Sequence, residues 1–242
     1  MRCLPIVLLA ATIAAPAAAS VRITEFMSEG AGLTGPGSGA NRQREFFELT
    51  NLGSAAVDIS AWSYNDDNSN DPHGFGASFG MLAAGESIIL TQMTADAFRD
   101  YWQLPTSVRI FSYLQRSNLG NGDEINIYNS AVQDATTLID TLSYDSTARG
   151  SGVSRNRPLA GGSGAGDNAM FVVSAVGDVY GSRLAPNAIY PVGEAYRDIA
   201  NPGRFAAVAA AVPEPSTWML MLAGFGLVGG TLRRRIRSIA AA

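Results

Sequence analysis

Short segments in which polar and apolar residues alternate dominate the middle of this sequence, and they predict strands that bury one face. The alternating segments lie at residues 45–50, 57–59 and 124–128, and residues 87–90 and 137–142 are predicted as further strands. Turn-forming stretches rich in Asn, Gly and Asp separate them. Many short strands joined by turns are typical of a β-sandwich or barrel, so we predict an all-β fold with Trp62 in its core.

One helix is predicted, over residues 94–102. Thr94 can accept a hydrogen bond at the helix start, and Asp96 suits the positive end of the helix dipole. Phe98, Tyr101 and Trp102 then form an apolar stripe. We interpret this stripe as a cover for the core rather than as a ligand site.

The amino-terminal segment has the pattern of a secretory signal peptide. Arg2 precedes an apolar stretch at residues 4–13, and the small residues Ala17 and Ala19 precede a cleavage point ahead of Ser20. We therefore predict that residues 1–19 are removed on export. The alternative is a retained anchor, for which the apolar stretch is too short.

The carboxyl-terminal tail combines a proline motif, an apolar run and a basic end. In chain order these are Val212, Pro213, Glu214 and Pro215, then residues 218–232, then Arg233, Arg234 and Arg235. The 15-residue apolar run covers roughly 22 Å as a helix, against a hydrocarbon core about 30 Å thick. The arginines favour a cytoplasmic carboxyl terminus. We predict one short transmembrane helix at residues 218–232.

This tail resembles the PEP-CTERM sorting signal of Gram-negative bacteria in its Val-Pro-Glu-Pro motif, its Gly-rich span and its arginine cluster. The resemblance implies recognition and cleavage by an exosortase-type membrane protease. It also implies transient anchoring in the inner membrane, followed by transfer to the cell surface or the extracellular space. We place the sorting signal at residues 213–237 and a linker at residues 206–212.

The exported region is acidic. Between Ser20 and Val212 it has twenty Asp and Glu residues against twelve arginines, with no lysine, for a net charge of about −8. Nonspecific nucleic-acid binding needs phosphate-neutralising cations, so we expect no nucleic-acid partner. The only cysteine, Cys3, lies in the predicted signal peptide, so the exported region has neither a disulfide nor a thiol nucleophile.

Several sequence blocks resemble a bacterial lamin tail domain. They lie at residues 23–28, 45–53, 57–62, 82–86, 119–124, 142–144 and 201–203, in the order usual for that family. The departures are a Gly-rich insertion at residues 30–39 and a long segment at residues 160–197. The resemblance implies an immunoglobulin-like β-sandwich over residues 20–205, with one short helix, that acts as an interaction module rather than a catalyst.

No catalytic set is evident in the residues. His73 is the only histidine, whereas zinc sites draw on several His or Cys ligands and a serine triad needs a positioned histidine. We interpret His73 as a loop residue. Glu45 and Glu48 lie three apart, so a straight strand places them on opposite faces rather than together as an acid and base pair. We predict no catalytic residues.

The densest polar cluster suggests a calcium site. Asp67, Ser69 and Asp71 offer side-chain oxygens at alternating positions, as calcium prefers. The cluster lacks the glycine and the distant glutamate of an EF-hand loop, and a solvated turn is the alternative. Calcium is the only cofactor that the sequence suggests.

Arg149, Arg155 and Arg157 surround a Gly-Ser-Gly step and form a local basic patch. Planar guanidinium groups suit carboxylates and sulfates, so this patch is a candidate site for anionic exopolysaccharide. The alternative is that all three are ordinary exposed charges.

Taken together, these features predict a noncatalytic exported module of the envelope surface or extracellular biofilm matrix that binds a polysaccharide or a protein. One alternative is a secreted hydrolase that uses carboxylates, with or without calcium. Another is a structural spacer of the matrix, which would show no saturable ligand binding.

Overall fold

A computed structural model of the full chain describes nine stretches of the sequence. They are residues 21–31, 44–66, 72–113, 119, 122–145, 152–158, 166–167, 171–187 and 198–205. The chain divides into two compact units, Met1–Ala206 and Ala207–Ala242, and all described residues belong to the first. No helix among them is long and apolar enough to cross a membrane. The predicted signal peptide and transmembrane helix lie outside the described residues.

The described residues form two large sheets, two small sheets and one helix. The six-stranded sheet has the order β13 (Val172–Val173), β11 (Arg155–Asn156), β1 (Val21–Met27), β2 (Phe46–Asn51), β7 (Ser87–Thr91) and β8 (Arg109–Ser112). The five-stranded sheet has the order β12 (Gly166–Asp167), β10 (Leu138–Tyr144), β9 (Asp123–Tyr128), β4 (Ser63–Asn65) and β5 (His73–Gly74). The small sheets pair β3 (Val57–Asp58) with β6 (Met81–Leu82), and β14 (Arg183–Leu184) with β15 (Ile199–Ala200). The helix is α1 (Ala95–Trp102).

Most neighbouring strands are antiparallel. The exceptions among the described strands are the β7–β8 and β10–β12 pairs, which are parallel. The strands predicted from the sequence are confirmed as β2, β3, β7, β9 and β10.

The main hydrophobic core lies between the two large sheets. The six-stranded sheet contributes Val21, Ile23, Phe26, Phe47, Leu49, Ile88 and Leu90, and the five-stranded sheet contributes Tyr64, Ile125, Ile127, Leu142 and Tyr144. Aromatic rings meet across the interface, with 5.1 Å between the ring centroids of Phe26 and Tyr144. Trp62 is buried in the same core, as its sequence position predicts. The arrangement confirms an immunoglobulin-like β-sandwich.

Helix α1 covers part of the outer face of the six-stranded sheet. Phe98, Tyr101 and Trp102 are buried against apolar residues of β1, β2, β7 and β8, which confirms the predicted role of the stripe. Thr94 caps the helix by accepting a hydrogen bond from the Ala97 backbone N–H at 3.3 Å. The helix ends at Gln103, whose left-handed backbone (φ 49°) turns the chain toward β8.

The last described stretch, residues 198–205, is termed here the closing segment. It contributes β15 and lies on the outer face of the same sheet, where Ala200 packs in the cluster around α1. Its backbone also joins the segment before β11, because the Ile199 N–H donates to the Gly152 carbonyl at 2.7 Å. The closing segment therefore connects the helix, the first strands and β11.

Because Gly152 packs closely against the closing segment, the addition of a single methyl group at this position should strongly destabilise the fold. A Cβ at this position would lie 2.4 Å from the Ala31 backbone nitrogen and 2.5 Å from Asp198 Oδ1, and Gly152 has a φ of +61°. Gly152→Ala should therefore lower the free energy of unfolding by roughly 2–5 kcal/mol, from overpacking plus left-handed strain. Urea denaturation of the purified full chain measures this change.

Gly177→Ala is the matched control. Gly177 also has a positive φ, +80°, but a Cβ there meets nothing within 4 Å, so only the backbone strain of about 1–2 kcal/mol should remain. Equal destabilisation by the two substitutions would show that the close contact at Gly152 has no energetic consequence.

Candidate functional site

Two buried glutamates stand opposite each other on the outer face of the six-stranded sheet. Glu25 of β1 pairs in register with Glu48 of β2, next to a register shift between Ile23 and Glu25. Both side chains are 0% exposed. Ionised carboxylates are expensive to bury unless they are paired or hydrogen-bonded, so their partners decide what this pair can do.

Glu48 is surrounded by hydrogen-bond donors. Its Oε1 accepts from the hydroxyl groups of Thr24 at 2.8 Å and of Thr50 and Ser87 at 3.1 Å. Its Oε2 accepts from the Gly203 backbone N–H at 2.7 Å. The hydroxyl groups come from three neighbouring strands, whereas the amide comes from the closing segment.

Glu25 has fewer donors. Its Oε1 accepts from the Ser154 hydroxyl at 2.5 Å and from the Asn201 backbone N–H at 2.9 Å, and its Oε2 has no hydrogen-bond partner among the described residues. Burial, followed by the nearby charge of Glu48, raises the pKa of Glu25 well above 4.5. Burial also raises the pKa of Glu48, although its hydrogen bonds to Thr24 and Gly203 oppose the rise. The fold therefore favours the protonated form of Glu25 more strongly than an exposed carboxyl group would.

A tight turn brings the closing segment onto this pair. The Arg204 N–H donates to the Asn201 carbonyl at 3.2 Å, Pro202 follows Asn201, and Gly203 has a φ of +78°. Proline followed by a residue of positive φ is the signature of a type II turn. The turn leaves the Asn201 and Gly203 amides free to point at Glu25 and Glu48.

A third buried acid holds the start of the closing segment. Asp198 forms an ion pair with Arg44 at 2.7 Å and accepts hydrogen bonds from the Tyr101 hydroxyl at 2.9 Å and the Ala31 N–H at 2.5 Å. Burial raises the pKa of Asp198, while the Arg44 charge opposes the rise. Glu25, Glu48 and Asp198 are each fully buried, so a substrate in solvent reaches none of them in this conformation. They act as internal anchors.

A solvent-accessible pocket of about 260 Å³ lies between the end of α1 and the turn of the closing segment. It is lined by Gln103, Leu104, Pro105, Val108, Gly181, Arg183, Asn201, Pro202, Gly203 and Arg204. Two arginines line it and no Asp or Glu does. The pocket therefore combines apolar walls with localised positive charge.

The two arginines of the pocket differ in their burial and in the contacts that hold their side chains. Arg183 is half-buried, lies 5.8 Å from the Trp102 ring centroid and donates to the Trp102 carbonyl. Arg204 is exposed at the end of the turn. Burial, and then the charge of Arg204, lowers the pKa of Arg183. Neither arginine forms an ion pair with a described residue.

The predicted calcium ligands Asp67, Ser69 and Asp71 lie outside the described residues, so calcium binding stays a prediction. Among the residues that the structure describes, no group of three or more His, Cys, Asp or Glu side chains could hold a metal ion. The signal-cleavage and sorting residues also fall outside this part of the chain.

The interpretation of His73 as a loop residue is wrong. His73 begins the short strand β5, and its ring stacks on Tyr64 with 4.9 Å between centroids. Glu45 and Glu48 do lie on opposite faces, because Glu45 accepts from the Leu119 N–H in the main core. The carboxylate that does neighbour Glu48 is Glu25, which sequence spacing does not reveal.

The basic patch predicted around residues 149–157 is wrong for one of its members. Arg157 is buried and pairs with Asp140 at 2.5 Å, while its Nε donates to the Ile23 carbonyl at 2.6 Å. It is therefore neither an exposed charge nor free to bind an anion. Arg155 is half-buried on β11, and Arg149 lies outside the described residues.

The raised pKa of Glu25 predicts a pH-dependent stability. Because the folded chain holds the Glu25 proton more tightly than the unfolded chain, the contribution of Glu25 to stability is fully present below about pH 4.5 and is lost as the pH rises through the folded pKa. The decline is at most about 1.4 kcal/mol per pH unit for one proton. Glu25→Gln should make the free energy of unfolding fall less steeply as the pH rises above about 4.5 in urea titrations.

Asp58→Asn serves as the control for that series. Asp58 is exposed, and hydrogen bonds from Ser60 lower its pKa below 3.8, so it titrates outside this range. The control should keep the wild-type slope. A Glu25→Gln slope equal to that of wild type would mean that Glu25 does not carry the extra proton.

Comparison with known proteins gives two family matches. The family model described as Lamin Tail Domain matches residues 14–146, and the PEP-CTERM protein-sorting motif matches residues 211–235. No curated protein matches the sequence. Strands β11 and β13 lie beyond the first match, yet they extend the same six-stranded sheet.

Among solved structures, the chain is similar to a crystal structure of a DUF4876 family protein from Bacteroides thetaiotaomicron, with a TM-score of 0.37 and 11% identity. That similarity covers 65% of this chain and 68% of the other. The Lamin Tail Domain match spans more than half of the 242 residues and includes strands β1 to β10 of the β-sandwich. The chain therefore belongs to the Lamin Tail Domain family and carries a PEP-CTERM sorting motif.

Proposed function

We propose that this protein is a noncatalytic interaction module that an exosortase-type system sorts to the cell surface or the extracellular matrix, where it binds a polysaccharide or a protein. The observation that carries the proposal is the pairing of an immunoglobulin-like domain with a carboxyl-terminal sorting motif. Together these two features indicate an exported surface module.

The sequence supplies the steps of this route. Cleavage between Ala19 and Ser20 would release the export signal, and residues 218–232 would hold the chain in the inner membrane. The Val212–Pro215 motif would then be presented to the membrane protease in extended backbone, since proline disfavours both helix and sheet. Arg233, Arg234 and Arg235 would keep the carboxyl terminus in the cytoplasm.

The burial pattern supports an interaction role over catalysis. The described carboxylates with raised pKa values, Glu25, Glu48, Asp140 and Asp198, are all buried. Each one is engaged within the fold by hydrogen bonds or an ion pair. A general acid or base must come within hydrogen-bond reach of its substrate, which these positions do not offer. The arginine-lined pocket, by contrast, is open to solvent and is formed by described residues.

Replacement of Pro213, Glu214 and Pro215 by alanine tests the sorting route in the native bacterium. The variant should accumulate as an uncleaved precursor in the inner-membrane fraction, because the protease would lose its recognition motif. Immunoblots of membrane, surface and medium fractions measure this distribution. A second strain with Ser216→Ala and Thr217→Ala changes the adjacent residues outside the motif and should be processed normally.

Processing and release of the motif variant in wild-type amounts would contradict the sorting proposal.

Activity screening separates the interaction module from a carboxylate-dependent hydrolase. The purified full chain should show no turnover on glycan, ester or nucleic-acid substrates, with and without millimolar calcium. Robust turnover that is abolished by one Asp or Glu substitution would overturn the noncatalytic assignment.

A further inference from the structure

The arginine-lined pocket contains positive charge that no ion pair with a described residue neutralises. The described residues show no ion pair for Arg183 or Arg204, and the lining contains no carboxylate. Arg44, Arg109 and Arg157 each form an ion pair with an acid, whereas Arg22 and Arg99, which do not line this pocket, donate to backbone carbonyls. In a domain of negative net charge, two unneutralised guanidinium groups at one concave site favour an external anion.

The pocket is organised before any ligand arrives. Arg183 is held by the Trp102 ring and by its bond to the Trp102 carbonyl, so little side-chain freedom is left to lose on binding. Arg204 follows a turn that Pro202 and the Gly203 amide bond to Glu48 fix in place. A guanidinium group presents its donors as a planar fork that matches the two oxygens of a carboxylate.

The size and walls of the pocket limit the ligand to one small unit. About 260 Å³ is below the roughly 300–1,000 Å³ typical of pockets that enclose drug-sized ligands. The walls near the arginines are apolar, from Leu104, Pro105, Pro202 and Val108. A sugar acid offers a carboxylate for the arginines and the C–H face of a rigid ring for these walls. An acidic peptide side chain offers the same charge but must lose more rotamer freedom on binding.

We propose that this pocket binds the carboxylate of a sugar-acid unit in an anionic polysaccharide, with Arg183 and Arg204 as its ligands. This inference deepens the proposed function, on which it rests, by giving the interaction module a binding site and a class of ligand.

Calorimetric titration of the purified full chain with a glucuronic-acid oligosaccharide tests the assignment. A neutral glucose oligosaccharide of the same length is the ligand control and should not bind. Arg204→Gln should weaken glucuronate binding at least about tenfold, the effect of losing one charge-assisted hydrogen bond. Because Arg204 is exposed and forms no ion pair with a described residue, this variant should unfold at the wild-type temperature.

Two further variants define the site. Arg155→Gln removes the same charge from β11, outside the pocket, and should bind glucuronate as wild type does. Arg183→Lys keeps the charge but loses the fork, and it should bind more weakly than wild type. Wild-type affinity of Arg204→Gln would overturn the site. Equal loss in Arg155→Gln would also overturn it, because net charge alone would then explain binding.

Titrations with two other anionic ligands test whether the pocket prefers a sugar carboxylate. Tighter binding of an equally charged glutamate oligopeptide or of a sulfated glucose oligosaccharide would overturn the sugar-carboxylate assignment, as would an absence of glucuronate binding at millimolar concentration. Failure of sorting in the bacterium would count against the proposed function alone. Failure of glucuronate binding by a correctly sorted protein would count against the pocket alone.

Discussion

The closing segment depends on hydrogen bonds to carboxylates that are buried beneath it. Glu25 and Glu48 accept the Asn201 and Gly203 amides, and Asp198 joins Arg44 and Tyr101. Without these acceptors, two backbone amides would lose their partners at an interface from which water is excluded, at about 1–3 kcal/mol each. With them, a segment that has only the two-residue strand β15 is held on the outer face of the six-stranded sheet. The closing segment is therefore attached to the sheet through buried acids, whereas helix α1 is attached through apolar side chains.

The same anchoring explains the position of the pocket. Its floor is the type II turn at residues 201–204, and one wall is the end of α1 at Gln103 and Leu104. The backbone bond from Gly203 to Glu48 fixes the turn from below, while the turn directs Arg204 outward. A site built on fixed backbone can hold a ligand at low entropic cost. An exported module of the Lamin Tail Domain family thus has a defined surface with which to meet a partner.

Local sequence patterns were sufficient for the β-sandwich and its helix. Alternation revealed β2, β3 and β9, and short segments between turns revealed β7 and β10. Thr94 with its apolar stripe revealed α1. All of these signals operate over a few residues. The Glu25–Glu48 pair depends on a strand register and a bulge, and the Gly203–Glu48 bond joins residues 155 apart.

The pocket and the error at Arg157 have a similar explanation. Arg183 and Arg204 meet only because β14 pairs with β15. Arg157 was misassigned since its neighbours in sequence do not show that Asp140 lies beside it. One part of the pocket does have a local sequence signal, because the Asn-Pro-Gly turn and the arginine that follows it are adjacent in the sequence.

The most direct test of the account is amide hydrogen exchange in Glu48→Met, which removes the acceptor of the Gly203 amide but keeps a side chain of similar length. The account predicts faster exchange at residues 198–205 with unchanged protection in β9 and β10, whereas unchanged protection of the Gly203 amide would contradict it.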